Sequence, residues 1–235
     1  MSLLSSFKKR STLDAAIKQV AQARKSEGSK AEQLYKGAYQ GFASVIADHL
    51  IVSEALYHWG FGLLHEARSL DAQQAIEIYE DAISKFSFCL LTAPHYLGAA
   101  IDGGVAFMEL ARISPDSAKP ELYKFAEDFF EKAGAIQKGS AAYNLACIHA
   151  LRGDHDACLK ALQTAREFGS LPDEQNILQD ADMVAVIDSQ WFKDFLEELR
   201  KQPEPATADE TKDQPVDVEP RFKLEKKEDF DYYSK

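Results

Sequence analysis

Apolar residues recur at helical spacing through the first part of the chain. Neighbouring positions in each stripe are mostly three or four residues apart, which places them on one face of an α-helix. No proline occurs before Pro94, and Ala, Leu, Glu, Lys and Gln are frequent, so helices are favoured over strands. We therefore predict an all-α protein whose first helix is capped by Ser11 or Thr12 and ended by Gly28. The first stripe is Leu13, Ile17 and Val20, continued by the apolar part of the Arg24 side chain, and the second is Leu34, Ala38, Phe42, Val45 and Ile46.

An internal repeat organises the middle of the chain. Residues 55–68 align without a gap onto residues 99–112 at an offset of 44, and a third copy places Tyr143 beneath Ile101 at an offset of 42. Each copy is followed by a second helix that carries a large residue between two small ones. Small residues let a neighbouring helix approach closely, and stacked hairpins of this kind build a solenoid. The three triplets are Ala75/Tyr79/Ala82, Ala126/Phe130/Ala133 and Cys158/Leu162/Ala165.

The repeated segment, residues 54–170, resembles the tetratricopeptide repeat (TPR) family. The resemblance is carried by the triplets together with residues 57–60, residues 143–146 and the turn Gly153-Asp154. It implies a right-handed superhelical solenoid of helical hairpins. The usual repeat of the family is about 34 residues long. The longer offsets here therefore imply extra residues, which we place in longer turns near residues 68–70, 90–96 and 113–120.

The remaining segments complete the predicted organisation. Residues 1–11 are predicted to be a flexible basic N-terminus and residues 12–53 a degenerate first hairpin. Residues 171–200 resemble the closing segment of bacterial TPR arrays, with Trp191, Phe195, Leu196 and Leu199 spaced to cover the last repeat. Residues 201–235 contain four of the eight prolines and few apolar residues, so we predict a disordered acidic tail. Its terminal aromatic residues either dock on a protein or are incidental to a solubilising tail.

Net charge limits the classes of partner. The chain carries −11, of which residues 1–30 contribute +5, residues 201–235 contribute −3 and residues 31–200 contribute −13. An acidic body repels phosphate backbones, so nucleic-acid binding is not expected. No apolar run is long enough for a membrane span, and no apolar secretory signal is present, so we expect a cytoplasmic protein. The basic residues 1–10 allow peripheral membrane contact at most.

Candidate catalytic and metal-ligating residues are sparse. Cys89, Cys147 and Cys158 lack CxxC spacing and are interpreted as reduced packing residues. No nucleophile elbow, phosphate-binding loop or zinc-protease motif occurs, and Gly103-Gly104 follows no predicted strand. We predict a non-enzymatic protein without cofactor or metal. The enzyme alternative is a helical metal site, and its residues would be Glu54, His58 and His65.

The family resemblance implies a binding groove lined by the inner face of each first helix. This groove is largely apolar, and Tyr57, Ile101 and Tyr143 stand where relatives that grip chaperone carboxylate tails carry polar or basic residues. We therefore predict a scaffold or adaptor that binds a partner helix or an extended hydrophobic segment. Two alternatives are an assembly factor for a subunit of a membrane-associated complex, and a lining that is simply core or covered by the tail. The predicted partner-binding residues are Tyr57, Phe61, Leu64, His65, Ile101, Val105, Met108, Glu109, Tyr143 and Cys147, with Ala150 beside them.

The column His58/Asp102/Asn144 is the most polar feature of the aligned first helices. Three different polar residue types occupy one aligned position, which a structural role explains better than a catalytic one. We interpret the column as a structural polar slot near a helix crossing. The oligomeric state is left open.

Overall fold

All regular structure in the described part of the chain is helical. The structure is a computed structural model that describes residues 3–47 and 51–201. Within these ranges it contains ten α-helices and one short 3₁₀ turn, Ala181–Met183, so the all-α prediction is confirmed. No helix in the same ranges is both long and apolar enough to cross a bilayer. The helices are α1 Leu3–Ala23, α2 Gly28–Ala47, α3 Val52–Ala67, α4 Ala72–Thr92, α5 Leu97–Ile113, α6 Lys119–Ile136, α7 Ala142–Leu151, α8 His155–Glu167, α9 Glu174–Gln179 and α10 Gln190–Lys201.

The chain divides into two compact units, residues 1–141 and residues 142–235. In the first unit, neighbouring helices pack as pairs: α1 with α2, α3 with α4, and α5 with α6. Successive pairs are joined because α2 also contacts α3 and α4 also contacts α5. In the second unit α7 pairs with α8, and α10 packs on α8. The first unit is therefore a row of helical hairpins, as the repeat predicts.

The first helix begins earlier than the sequence pattern indicates. The Thr12 hydroxyl donates to the Lys8 carbonyl at 3.0 Å, which is a bond inside a helix rather than a cap. Arg10 is held by ion pairs to Asp14 and, at 2.8 Å, to Glu54 of α3. Residues 3–11, predicted to be flexible, therefore belong to α1. The predicted cap at Ser11 or Thr12 is wrong, and Gly28 begins α2 instead of ending α1.

Of the three predicted longer turns, the one near residues 90–96 is largely helical, whereas residues 68–71 and 114–118 do lie between helices. The segment near residues 90–96 was predicted to be a longer turn, but α4 continues to Thr92 and α5 begins at Leu97. The added turns of α4 have their own core, because Phe86 and Cys89 are fully buried and the Cys89 thiol donates to the Ser53 carbonyl at 3.2 Å. Burial of this apolar surface stabilises a helix where a solvated loop would bury none.

The C-terminal helix α10 is strongly amphipathic. Phe192, Phe195 and Leu196 are buried, whereas Glu197 and Glu198 are exposed. This arrangement agrees with the predicted covering role, and Phe192 is a core residue that the sequence pattern missed. The predicted disordered tail lies outside the described residues except for Lys201. The side chains of residues 1–7, on which membrane contact would depend, also lie outside them.

Candidate interaction surface

One face of the first unit is formed where α1, α3 and α5 meet, and we call it the first-helix face. Contacts between side chains define it. The guanidinium of Arg24, which directly follows α1, lies 5.2 Å from the ring centroid of Phe61, and Tyr57 of α3 donates to Asp102 of α5 at 3.1 Å. Because α3 contacts both α1 and α5, residues of three separate hairpins share this face.

Burial separates the predicted partner-binding residues into two groups. Tyr57, Leu64, Met108 and Cys147 are buried, at no more than 6% exposure, and Ala150 is buried beside them. Such side chains offer almost no surface to a partner, and they lie in the core of the structure. The others remain half-buried and accessible: Phe61, His65, Ile101, Val105, Glu109 and Tyr143. Tyr143 and Cys147 belong to the second unit, so the predicted partner-binding residues on the first-helix face are those of α3 and α5.

The Tyr57–Asp102 pair links α3 to α5 through a polar contact in a largely apolar setting. Tyr57 also packs against Tyr96, with ring centroids 4.9 Å apart. Burial raises the pKa of Asp102 to about 6, although the hydrogen bond from Tyr57 and the nearby Arg68 oppose the shift. Burial and the Asp102 charge raise the pKa of Tyr57 well above its usual value. Asp102 therefore occupies the structural polar slot that the aligned column predicts.

A second polar group lies nearer the C-terminal ends of the same helices. Arg68 reaches Glu109 with 3.3 Å between Nη2 and Oε1, and Arg112 reaches the other Glu109 oxygen at 3.2 Å. The Arg68 Nη1 atom lies 3.4 Å from His65 Nδ1. Burial, assisted by the charges of Arg24 and Arg68, lowers the pKa of His65 to about 2. His65 is thus a neutral ring at physiological pH, packed edge-on against Phe61 at 4.4 Å.

The residues of the metal alternative are not brought together as a ligand set. Glu54 accepts from Arg10 at 2.8 Å, and His65 lies against Arg68. His58 contacts the ring of Tyr57, and burial lowers its pKa to about 4. These contacts give each of the three side chains a separate packing role in the first unit.

In the second unit, Asp180 gathers several donors around one buried carboxylate. Tyr143 donates to Asp180 Oδ2 at 2.7 Å, and the Cys147 thiol approaches the same oxygen at 3.7 Å. The backbone N–H of Asp182 donates to Oδ1 at 2.9 Å. Cys147, Asp180 and Asp182 also present ligand atoms within 4.8 Å of one another. The hydrogen bonds by themselves explain the burial of Asp180, which fastens the 3₁₀ turn to α7.

Replacing Asp102 with asparagine should make the stability of the protein less dependent on pH. The folded-state pKa of about 6 exceeds the ordinary 3.8, so the Asp102 contribution is complete below pH 4 and is lost as pH rises through 6. Asparagine cannot ionise but still offers an oxygen to Tyr57. We expect Asp102→Asn to gain up to about 3 kcal/mol in unfolding free energy at pH 8.

Urea unfolding at pH 4 and pH 8, followed by circular dichroism, measures this difference. The gain should disappear at pH 4, and titration of the histidines cancels because both proteins contain them. The exposed residue Asp156 supplies the control, since Asp156→Asn should change stability by less than about 0.5 kcal/mol at either pH. The same gain at both pH values would contradict ionisation of a half-buried Asp102 with a raised pKa.

Sequence reasoning missed the arginines of this face. Arg68 and Arg112 were used only to align the repeats, and Arg24 was considered for the apolar part of its side chain. The sequence signal that could have identified them is their shared position at the end of each first helix.

Comparison with known proteins does not assign the chain to a family. No protein-family model, no curated protein and no solved structure matches the chain.

Proposed function

We propose that this protein is a non-enzymatic scaffold or adaptor of the TPR type, a right-handed helical solenoid that binds a helix or extended segment of a protein partner. The observation that carries the proposal is the first-helix face. It combines accessible apolar side chains, such as Phe61 and Val105, with polar groups held in place by contacts between helices. Interaction surfaces commonly combine apolar contact with fixed polar groups in this way.

The architecture supports a binding role because stacked hairpins bring equivalent helices side by side. A segment lying across α1, α3 and α5 would contact three hairpins at once. Each hairpin offers a different side chain at the aligned position, and different side chains allow the surface to select one partner sequence.

The cysteine chemistry favours binding over catalysis. Burial raises the pKa of Cys89 and of Cys158 to about 12, which keeps both thiols protonated at neutral pH. A thiol acts as a nucleophile through its thiolate, so these two side chains suit packing. Cys147 is also buried, and its thiol faces the Asp180 carboxylate.

Site-specific photo-crosslinking in full-length protein tests the proposed surface. A benzoylphenylalanine at Val105 of α5 should capture a partner in cells that produce the protein. The same residue at Glu131, which is exposed on α6, serves as the matched control. Crosslinks to a defined protein from Val105 but not from Glu131 support the proposal. Equal capture at both positions, or capture from Glu131 alone, would place the interaction elsewhere.

The identity of the captured complex separates scaffold from assembly factor. A scaffold should crosslink to a partner within the finished complex, whereas an assembly factor should crosslink only to a subunit in intermediates. The fractions are resolved by native gel electrophoresis before the crosslinked band is identified.

A further inference from the structure

One side of α4 carries a row of exposed side chains along most of the helix. Its members are three or four residues apart, which places them on a single face. This face lies opposite the buried residues of α4, such as Tyr79 and Phe86. We call it the outer face of α4, and its residues are Gln73, Glu77, Glu80, Ser84, Phe88 and Leu91.

The C-terminal part of the outer face is apolar. Phe88 is 57% exposed and Leu91 is 75% exposed, which makes Leu91 the most exposed large hydrophobic residue in the described part of the chain. Single exposed apolar residues are ordinary on protein surfaces. These two, however, are neighbours on one helical turn, and Cys89 and Leu90 fill the buried side of the same turn. The core therefore accounts for one side of this turn and leaves its other side to solvent.

This turn belongs to an extension of α4 that α6 and α8 lack. The triplet of α4 ends at Ala82, and the helix continues for ten residues to Thr92. The triplet of α6 ends at Ala133, and that helix continues for three residues to Ile136. In α8 the helix ends two residues after Ala165. Because the shorter second helices pair with their partners without such an extension, pairing does not require apolar residues on its solvent side.

The N-terminal part of the outer face is acidic. Glu77 and Glu80 are exposed, and neither forms an ion pair with another residue that the structure describes. Asp81 at the edge of the face differ from them, since it pairs with Lys85, whose ammonium lies 4.6 Å from the ring centroid of Trp59. Residues 31–200 as a whole carry −13. An acidic row on an acidic body attracts cationic groups.

We propose that the outer face of α4 binds an amphipathic helix of a partner protein, in which Lys or Arg residues follow or precede a pair of apolar residues. Glu80 and Phe88 are eight residues apart, which is about 12 Å along the helix axis. A partner helix packed along α4 therefore has its basic residues about eight positions from its apolar pair. Apolar contact with Phe88 and Leu91 contributes most of the affinity, and the carboxylates fix the orientation of the partner helix.

This inference is independent of the proposed function. The first-helix face is formed by α1, α3 and α5, whereas the outer face belongs entirely to α4. The two surfaces share no residue, so the failure of one proposal leaves the other standing. If both are correct, the protein can hold two different protein segments at once.

A display library of helical peptides, panned against the full-length protein, provides the probe. The peptides are about 20 residues long, which is enough to form a helix, and their positions are randomised. Selected peptides should combine an apolar pair with Lys or Arg about eight positions away. Synthetic versions labelled with fluorescein are then titrated by fluorescence anisotropy at 50 and 300 mM NaCl. Binding should weaken at the higher salt concentration, because exposed ion pairs are screened.

Two double variants of α4 separate the apolar and acidic contributions. Phe88→Gln combined with Leu91→Gln should increase the Kd of the selected peptide about tenfold or more. Glu77→Gln combined with Glu80→Gln should increase it about threefold at 50 mM NaCl and less at 300 mM. All four side chains are exposed, so melting curves of both variants should match that of the wild-type protein.

The neighbouring second helix supplies the matched control. Aligning the triplets of α4 and α6 places Asp128 and Glu131 at the positions of Glu77 and Glu80, and both are exposed. Asp128→Asn combined with Glu131→Gln should leave the Kd of the selected peptide within twofold of the wild-type value. An increase as large as that of the Glu77/Glu80 variant would show a general effect of charge and overturn the assignment to α4.

Crosslinking identifies what occupies the outer face in the full-length protein. A benzoylphenylalanine at Ser84 should crosslink to the selected peptide, whereas one at the aligned and exposed Ala135 of α6 should not. Crosslinks from position 84 to residues 202–235 of the same chain, or to a second copy, that persist with saturating peptide would overturn the proposal. It is also overturned if no peptide is selected, if selected peptides lack the apolar and basic pattern, or if they bind the Phe88/Leu91 variant as tightly as the wild-type protein.

Discussion

Replacing Gly104 with leucine is expected to lower the unfolding free energy of the first unit by about 3 kcal/mol. A Cβ atom at this position would lie 2.5 Å from Cε1 of Phe130. Phe130 is fully buried on α6, so its ring has no room to move away. The glycine therefore permits the close approach of α5 to α6, and any larger side chain forces the two helices apart.

Gly134 provides the matched control for this substitution. It lies within α6, as Gly104 lies within α5, but a Cβ built there meets nothing within 4 Å. Gly134→Leu should therefore leave stability unchanged or raise it by up to about 1 kcal/mol through helix propensity. Thermal and urea unfolding by circular dichroism compares the two variants.

A compensating substitution tests the assigned contact directly. Phe130→Ala alone should destabilise the unit by removing a core ring. Combined with Gly104→Leu, it should cost less than the sum of the two single changes, because leucine then enters the vacated space. Additive losses would show that the leucine clashes with something other than Phe130.

Asp180→Ala is expected to cost the second unit about 3 kcal/mol of unfolding free energy. Asp180 is 2% exposed, and its carboxylate accepts from the Tyr143 hydroxyl and the Asp182 N–H. Removing it takes this acceptor away from the half-buried Tyr143 hydroxyl and from the N–H of the buried Asp182. Tyr143→Phe removes only one donor and should cost about 1 kcal/mol.

The exposed residue Asp188 supplies the control for this experiment. Asp188→Ala should change stability by less than about 0.5 kcal/mol, measured by urea unfolding of the full chain. Adding EDTA to the wild-type protein should leave its melting temperature unchanged if hydrogen bonds hold the group together. A large fall in melting temperature with EDTA would instead indicate that Cys147, Asp180 and Asp182 bind a metal ion.

Several local features follow from residue spacing. The small–large–small triplets were predicted to be the contact positions of the second helices, and all nine of their residues are buried. The lengths of the helices were harder to predict. Residues 86–92 carry no local sequence signal that separates a helix from a turn. Their helical conformation depends on contacts with residues distant in sequence, such as Ser53 in α3.

On the first-helix face, too, residue spacing alone could not predict which side chains are buried. Tyr57 and Phe61 are one turn apart and look equivalent in the repeat, yet Tyr57 is buried beside Asp102 and Phe61 is accessible under Arg24. The arginines at the ends of the first helices had a sequence signal, because the 44-residue offset that relates the second and third hairpins also relates Arg24 to Arg68. Extending the alignment to residues 11–24 would have found it.

By itself, the sequence determined that the described chain is helical and that its second helices pack through triplets of small and large residues. These properties depend on side chains three or four positions apart, which helical geometry places together. Tertiary structure alone decided that Arg68 meets Glu109, 41 residues away, and that Tyr57 meets Asp102, 45 residues away. Such contacts depend on the distance and rotation between helices, which are set by the packing of all the intervening side chains.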